Sequence, residues 1–357
     1  MSYASIEIIA RGRVAPLTGI TEDAIGVGGS FDGGVYYEDG AICKNGLQIK
    51  AARNIPLPID GAKLAQVKGH HLFGGLLQNE HFGHFLVESL SRLWGFDKLG
   101  SRYDTVAYYL RRPHLPIAPF VTEMLQILIP GIKLHIVKDP TEFETLAVPQ
   151  QLVQNGSGYM FGHPMIASMC KRLRLSGGAG AKKVYVSRSK ISKYAGGILG
   201  DYLIDQYLED AGYKIVYPET MSIRDQLATY SEAEQLIFTE GSALHLYALV
   251  ANPTQRAFMI HRRVNTGLPF DWQIRSFGGP KLQGDPFVEK LWVPQHQAPN
   301  AAQAKAIINF GALSQQLHDY GFVASPPWPQ PNTENLEKLI VEIEAEKTHW
   351  KFVSVPI

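Results

Sequence analysis

The sequence predicts an α/β protein of two domains, and three observations carry that expectation. The chain has 357 residues, more than one hydrophobic core usually organises. Between residues 182 and 261, short β-branched runs alternate with helical stretches: KKVYVSR, GDYLIDQYLEDAG, YKIVYP, SIRDQLATYSEA, QLIFTE, GSALHLYALV and RAFMIH. That alternation builds βαβ units around a parallel sheet. The stretch LSGGAGAKK, 175–183, separates this region from what precedes it. It is small, flexible and basic at its end, as a linker between domains is.

Each element has a local reason. The helix GDYLIDQYLEDAG stops at Gly212, and SIRDQLATYSEA starts with Ser222 placed to cap it and Asp225 three residues on. In the first half, the opening 60 residues are glycine-rich and read as short strands and turns, an irregular β cap. Then come VKGHHLFGGLL, a helix over about 80–98, the strand YDTVAYYL, a helix around 117–129 and the strand KLHIV. NTENLEKLIVEIEAEKTHW is an amphipathic helix capped by Asn332 or Thr333. The segment 262–330 is loop-rich, with Trp272, Trp292 and Trp328; such aromatics either line a cleft or, more commonly, pack a core. The expected domains are residues 1–175, 176–328 and a terminal helix over 329–357.

Composition narrows the function classes. Apolar content of 45% and charged content of 19% are ordinary for a globular protein. A formal net charge of +1 gives the whole molecule no strong attraction to nucleic acid or membrane surfaces. Cys43 and Cys170 form no disulfide framework and no metal-like spacing, which fits a reducing compartment. The opening MSYASIEIIARGRV lacks a signal-peptide core, and no apolar run approaches a membrane span. The expected location is cytoplasmic, with peripheral attachment to a membrane left open.

Ligands of open parallel sheets bind at the carboxyl ends of the strands. In the second half those ends read Ser187-Arg188, Pro218-Glu219, Glu240-Gly241-Ser242 and His261-Arg262. Gly241 and Ser242 start a helix, whose free N–H groups suit phosphate, and small residues there let a ligand approach the backbone. Arg188 offers a bidentate phosphate contact, with Lys190 and Lys193 in the loop after it. Glu240 only accepts hydrogen bonds and so suits ribose hydroxyls or a base N–H. Together these describe a nucleoside diphosphate site. Taken singly, each residue fits a plainer role, Ser242 as a helix cap and Arg188 in a surface ion pair; their shared edge favours the ligand.

The second constellation is NEHFGHFLVESLSRLW, 79–94. On a helix, His81, His84, Glu88, Ser91 and Arg92 share one face, and Phe82, Leu86, Leu90 and Leu93 share the other. His84 and Glu88, four apart, can touch, and the carboxylate then raises the imidazole's basicity and fixes its tautomer, as a general base needs. The same pair has zinc-ligand spacing, but no third ligand is evident and His-Glu-x-x-His is absent. No Asp-x-Asp pair occurs to hold a divalent cation, so cationic side chains and the 241–244 turn must neutralise a leaving diphosphate.

GGLLQNEHFGHFLVESLSRLW, VYVSRSK and GYKIVYPETMSIRDQLATYSEAEQLI resemble glycosyltransferase family 61, the group of plant xylosyl- and arabinosyltransferases, animal O-linked GlcNAc transferases and bacterial capsule enzymes. His84, Glu88, Arg92, Leu93 and Trp94 fall on the family's His-aromatic-Leu-x-acid-x-x-x-Arg-Leu-Trp pattern. The strand ending in Ser187-Arg188 and the Pro218-Glu219 block match as well, and the resemblance covers roughly 70–260. One stretch departs: the family's His-Gly-Ala-Gly-Leu is here Glu240-Gly241-Ser242-Ala243-Leu244. A carboxylate repels phosphate, so the departure moves Glu240 toward ribose or base and leaves His245, one turn on, to replace the imidazole.

The resemblance implies a GT-B-like fold: two Rossmann-like domains facing across a cleft, with the C-terminal helix crossing back to the first. It implies an inverting, metal-independent glycosyltransferase without a cofactor, moving a hexose or pentose from a nucleotide-sugar, expected to be a UDP-sugar, to a glycan or glycolipid. The first domain holds the acceptor, with His84 or Glu88 as base and His81 beside them. The second holds the donor through Arg188, Lys193, Pro218, Glu219, Glu240, Gly241, Ser242, Ala243, Leu244 and His245. With no membrane anchor in view, bacterial capsule or lipopolysaccharide synthesis is the expected setting. Two rivals stand: another sugar-nucleotide enzyme, such as an epimerase or pyruvyl transferase, and an inactive glycan- or nucleotide-binding protein.

Overall fold

The computed structural model describes residues 4–18, 29–49, 52–55, 63–154, 158–178, 180–264, 266–295, 297–298, 301–347, 351–355 and 357. Parts of the glycine-rich opening expected to form strands and turns lie outside them. The chain divides into two compact units, Met1–Leu173 and Arg174–Ile357. Among the described residues no helix is long and apolar enough to cross a membrane.

The first unit is built on one seven-stranded mixed sheet. Its strands are β1 (Ile6–Thr18), β2 (Gly29–Tyr36), β3 (Ala52–Ile55), β4 (Ala65–Leu77), β5 (Thr105–Leu110), β6 (Lys133–Ile136) and β7 (Thr141–Pro149), in the order β3-β2-β1-β7-β4-β5-β6. Strands β7, β4, β5 and β6 run parallel. All six residues of β5, TVAYYL, are buried, the continuous apolar run that a parallel strand covered on both faces requires. The opening segment is more than the irregular cap the sequence suggests. Strand β1 pairs antiparallel with β7 from Ile6↔Pro149 to Val14↔Thr141 and places Ile9 and Val14 in the core with Phe73, Phe143 and Leu146.

The helix expected over 80–98 is broken into pieces. A single α-turn, α1 (Phe82–His84), runs into a π-helical turn over Phe85–Ser89, then a 3₁₀ turn over Leu93–Gly95 and α2 (Phe96–Leu99). The cause is competition for the helix carbonyls. Ser91 Oγ donates to Glu88 O at 2.5 Å, and Tyr108 Oη to Ser89 O at 2.7 Å. The backbone N–H groups of Met160 and Leu152 donate to Val87 O and Ser91 O. The helices α3 (Pro119–Leu128) and α4 (Pro164–Cys170) complete the unit.

In the second unit the alternation read from the sequence is present: β8 (Lys183–Val186), β9 (Gly197–Ile198), α5 (Asp201–Asp210), β10 (Lys214–Val216), α6 (Ile223–Glu232), β11 (Gln235–Thr239), α7 (Ala243–Ala248) and β12 (Arg256–Ile260). The stretch beyond 262 adds α8 (Gly267–Ser276), β13 (Leu282–Gln283), β14 (Val288–Pro294), β15 (Lys305–Ile308), α9 (Phe310–Asp319), α10 (Thr333–Glu346) and β16 (Phe352–Val355). Strands β10-β8-β11-β12-β13 form an all-parallel, Rossmann-like sheet, and β16-β14-β15-β9 form a smaller mixed one.

Ser222 and Asn332 cap α6 and α10 through their side chains, as their positions predict. Helix α10 buries Leu336, Ile340 and Ile343 against Leu199, Ile307 and Phe352 of its own unit. Trp328 is buried and stacks on Tyr207, so it is a core residue. The glycine-rich stretch at 175–183 is tethered, because Gly177 N–H and Gly178 N–H both donate to the Glu232 carboxylate.

The sheet and the broken helix meet at one close approach. A Cβ on Gly74 of β4 would lie 2.3 Å from Tyr108 Cζ, in a ring that is fully buried and tied to Ser89. Gly74→Ala is therefore expected to cost about 1–3 kcal/mol through overpacking. Urea unfolding of the two proteins checks this, and equal midpoints would mean the ring has room to move.

Candidate active site and nucleotide edge

In the first unit the polar groups gather where β4 and β5 end. Glu88 sits in the π-turn and is 3% exposed. Its Oε1 lies 2.6 Å from His84 Nδ1, and its Oε2 accepts from Gln78 Nε2 at 2.9 Å. Gln78 follows β4 directly, and its own N–H is held by Ser89 Oγ. A buried carboxylate at this distance keeps the proton on His84 Nδ1 and leaves Nε2 as a lone pair. The His84 side chain is 40% exposed, so it is the open end of the pair.

His81 caps the turn, its Nδ1 accepting from His84 N–H, and its ring lies edge-on to His84 at 4.4 Å. Desolvation and repulsion from His84 hold its imidazole below the ordinary histidine range, so it is neutral at pH 7. Arg111, after β5, loses basicity through burial, and the Glu88 charge opposes that loss. The fully buried Asn79 fixes the neighbouring loop by donating to the carbonyls of Arg112, Leu115 and Pro116.

The expected polar face of this segment is corrected at its far end. Arg92 is 1% exposed and donates to the carbonyls of Pro149, Asn45 and Leu47. It ties strands to loops in the interior, and Ser91 is buried beside it. The π-turn shifts the helical phase, so a regular wheel misplaces both.

In the second unit the sheet order places its first strand, β8, between β10 and β11. The crossovers leave in opposite directions from there, which makes the carboxyl ends of β8 and β11 the crevice where such sheets take ligands. Arg188 follows β8 and Gly241 follows β11. A Cβ on Gly241 would lie 2.6 Å from Arg188 Nη1, so only glycine lets the guanidinium cross there. Arg188 Nη2 donates to Gly196 O at 3.2 Å, while its buried Nε has no partner among the described residues. Asp205 steadies this loop by accepting from the hydroxyls of Ser187, Ser189 and Tyr217.

Several residues expected to touch a ligand have internal partners instead. Glu240 is fully buried. It pairs with Arg263 and accepts from Arg262 N–H at 3.2 Å. Burial alone would raise its pKa, but Arg263 and Arg262 outweigh it and hold the carboxyl below the usual range. Its carboxylate therefore organises the edge and is closed to a ribose. Leu244 is core, and His245 is buried with Nδ1 2.7 Å from Gln273 Oε1. Ser242 makes no side-chain cap bond, and α7, which begins at Ala243, has only six residues. Lys193 is exposed and pairs with Glu346 of α10. Lys190 lies over the Tyr217 ring, 3.7 Å from its centroid. Pro218 and Glu219 form the 3₁₀ turn after β10, and Pro218 O accepts from Gln226.

Sequence reading named Arg262 at the end of its strand and missed the rest of the charge cluster. Arg262, Arg263 and Lys305 act electrostatically on Arg188, Glu240 and Asp201. Glu219 acts on Arg188 as well, and Asp205 on Asp201, so four cations and four carboxylates share this edge. Arg263 follows Arg262 at the same edge, so the edge rule could have found it. Lys305 comes from a strand that no sequence signal places here. Burial, with Asp205 adding to it, pushes the Asp201 carboxyl up to about 7, and burial brings Lys305 down to about 8.

The fold and these two clusters define a class: an α/β protein with a Rossmann-like unit that gathers arginines at the carboxyl edge of its parallel sheet. Residues 82–256 match the model of the family described as Glycosyltransferase 61. The match supports assigning the chain to that family; it runs from the first residue of α1 to the first of β12 and takes in His84, Glu88, Arg188 and Glu240, while Gln78, Arg262, Arg263 and Lys305 lie outside it. No curated protein matches the chain. Membership supports a glycosyltransferase-type function in sugar transfer, with nucleotide-sugars and glycans as the molecules handled.

Two outcomes follow from the charge cluster. The folded state holds a proton on Asp201 that the unfolded chain releases near 3.8, the ordinary aspartate value. That contribution is complete below pH 4 and is lost as pH rises to about 7. Asp201→Asn should flatten the stability profile over that window in a pH series of urea unfolding, and an unchanged slope would refute the desolvated carboxyl. Glu240→Ala strands the Arg263 guanidinium and the buried backbone N–H of Arg262 and should cost about 3–5 kcal/mol, read in the same assay.

Proposed function

We propose that the chain is an inverting, metal-independent glycosyltransferase that moves a sugar from a nucleotide-sugar, expected to be a UDP-sugar, to a glycan hydroxyl. The observation that carries this reading is the His84–Glu88 pair: a half-open imidazole whose Nδ1 meets a buried carboxylate at 2.6 Å. The acceptor hydroxyl gives its proton to His84 Nε2 as its oxygen forms a bond to the anomeric carbon. The bond from that carbon to the diphosphate breaks on the opposite face, so configuration inverts. Glu88 stabilises the imidazolium, and Gln78 keeps Glu88 in place. The burial of Glu88 and the half-open His84 ring favour His84 as the group that meets substrate.

The departing diphosphate carries away the electron pair. Arg188 is the side chain best placed for it, with a free Nε and Gly241 opening the approach. Arg262, Arg263 and Lys305 add positive potential. The reading includes the GT-B arrangement, with acceptor on the first unit and donor on the second; the terminal helix α10, expected to cross back to the first, buries its apolar face within its own unit. It also includes a cytoplasmic setting in bacterial capsule or lipopolysaccharide synthesis. The family match supports the sugar-transfer part of this reading.

The test is transfer to glycan acceptors from a panel of nucleotide-sugars, with product configuration read by NMR and with EDTA present or absent. His84→Ala should lower kcat by about 10²–10⁴, and Arg188→Ala by about 10²–10³. Turnover by His84→Ala at the wild-type rate sinks the base assignment. Retention of configuration, or loss of activity in EDTA, sinks the mechanism.

A further inference from the structure

A second cavity in the same unit has no role in the reaction as described. It lies at the carboxyl ends of β12 and β13, has a volume of about 290 Å³, and is lined by Met259, His261, Thr266, Leu282 and Gln283 among others. That is the small end of the ~300–1,000 Å³ range of ligand pockets, enough for a ring and too little for a whole nucleotide-sugar. Strands lie about 4.8 Å apart, so β12 is roughly 10 Å from β8, across the sheet from the Arg188–Gly241 crevice.

Three of the lining side chains bury a polar atom with no hydrogen bond of ordinary geometry among the described residues: His261 Nδ1, Gln283 Oε1 and Thr266 Oγ1; the Thr266 hydroxyl acts on the Glu240 carboxylate, which leaves His261 and Gln283. His261 is 6% exposed. Its Nε2 lies 3.0 Å from Gly284 O, and a carbonyl only accepts, so Nε2 holds the ring proton and Nδ1 is a lone pair. Burial keeps this imidazole below the ordinary histidine range, so it stays neutral. Buried polar atoms of this kind need a partner, and these two need a donor. Two carboxylates, Asp271 and Asp285, stand against one cation, Lys281, in the lining, which makes a phosphate unwelcome. Asp271 accepts from Leu282 N–H, and Asp285 from Gln316. What fits is a flat neutral ring that donates an N–H.

We propose that this cavity receives the base of the donor nucleotide, with His261 Nδ1 accepting the ring N–H and Gln283 Oε1 accepting from the amino group that guanine carries beside it; for uracil the Gln283 amide turns over and donates to the neighbouring carbonyl. The inference rests on the nucleotide-sugar reading and adds to it the class of base: one with a ring N–H, uracil or guanine, and not adenine or cytosine. Discrimination lies outside the diphosphate cradle, in residues beyond the family-matched region.

Isothermal titration of the full chain with UDP, GDP, ADP and CDP tests this, together with the ring-methylated partner of whichever base binds (3-methyl-UDP or 1-methyl-GDP). The methyl group removes the N–H and requires no protein variant. The methylated ligand is expected to bind wild type at least tenfold more weakly. His261→Ala and Gln283→Leu should each lose at least tenfold for the unmethylated ligand, and His261→Ala should no longer distinguish the two. Equal binding of methylated and unmethylated ligand overturns the proposal, as does preference for ADP or CDP. If His261→Ala weakens a UDP-sugar but not UDP, the cavity holds the sugar and the base assignment is wrong. In those three cases the donor reading survives. If no nucleoside diphosphate binds wild type, the donor reading itself fails and takes the base site with it.

Discussion

Desolvated carboxylates govern both polar edges of this protein. Glu88 in the first unit and Glu240 in the second are buried at the carboxyl ends of parallel strands, and neither can remain ionised there alone. Each is satisfied by partners that would otherwise point elsewhere. Glu88 holds the His84 ring and the Gln78 amide. Glu240 holds Arg263 and the backbone of Arg262. The side chains a ligand would meet are therefore fixed from behind by charge the ligand never touches. Breaking either support exposes the cost that burial otherwise hides.

The backbone around these carboxylates is irregular for the same reason. The π-turn at Phe85–Ser89 lets Glu88 turn inward to Gln78 while His84 stays half open, and π-turns often occur where a side chain must be re-aimed. In the second unit Gly241 gives way to Arg188, whose guanidinium crosses the space a Cβ would fill. The parallel sheet supplies the frame in both cases. Buried strands end together, and the loops beyond them carry groups that water no longer reaches freely.

Charge in the second unit is shared over a network. Arg188, Arg262, Arg263 and Lys305 repel one another in a partly dry environment, and Glu240, Asp201 and Glu219 counter this. On the proposed donor reading, a diphosphate would meet the arginines and not Glu240, whose carboxylate Arg263 neutralises internally.

The sequence by itself determined the alternating strands and helices between 182 and 261, the terminal helix, the cap at Ser222 and, to within one residue, that at Asn332, and the pairing of His84 with Glu88. These depend on local periodicity, on side-chain bonds within one turn and on a four-residue spacing. The family resemblance rested on the same contiguous stretches. The stretch 262–330 read as loop-rich, where the structure holds α8, β13, β14, β15 and α9. Only the tertiary structure decided that β1 belongs inside the first sheet, that Arg92 is interior, and that Glu240, Leu244 and His245 face inward. It also brought Gln78 to Glu88, Lys305 to Asp201, and His261 to Gln283. Each of these is set by contacts between segments far apart in the chain, where burial decides whether a polar group serves the fold or a ligand. A sequence shows which groups are polar; which of them remain without an internal partner depends on where the distant segments pack.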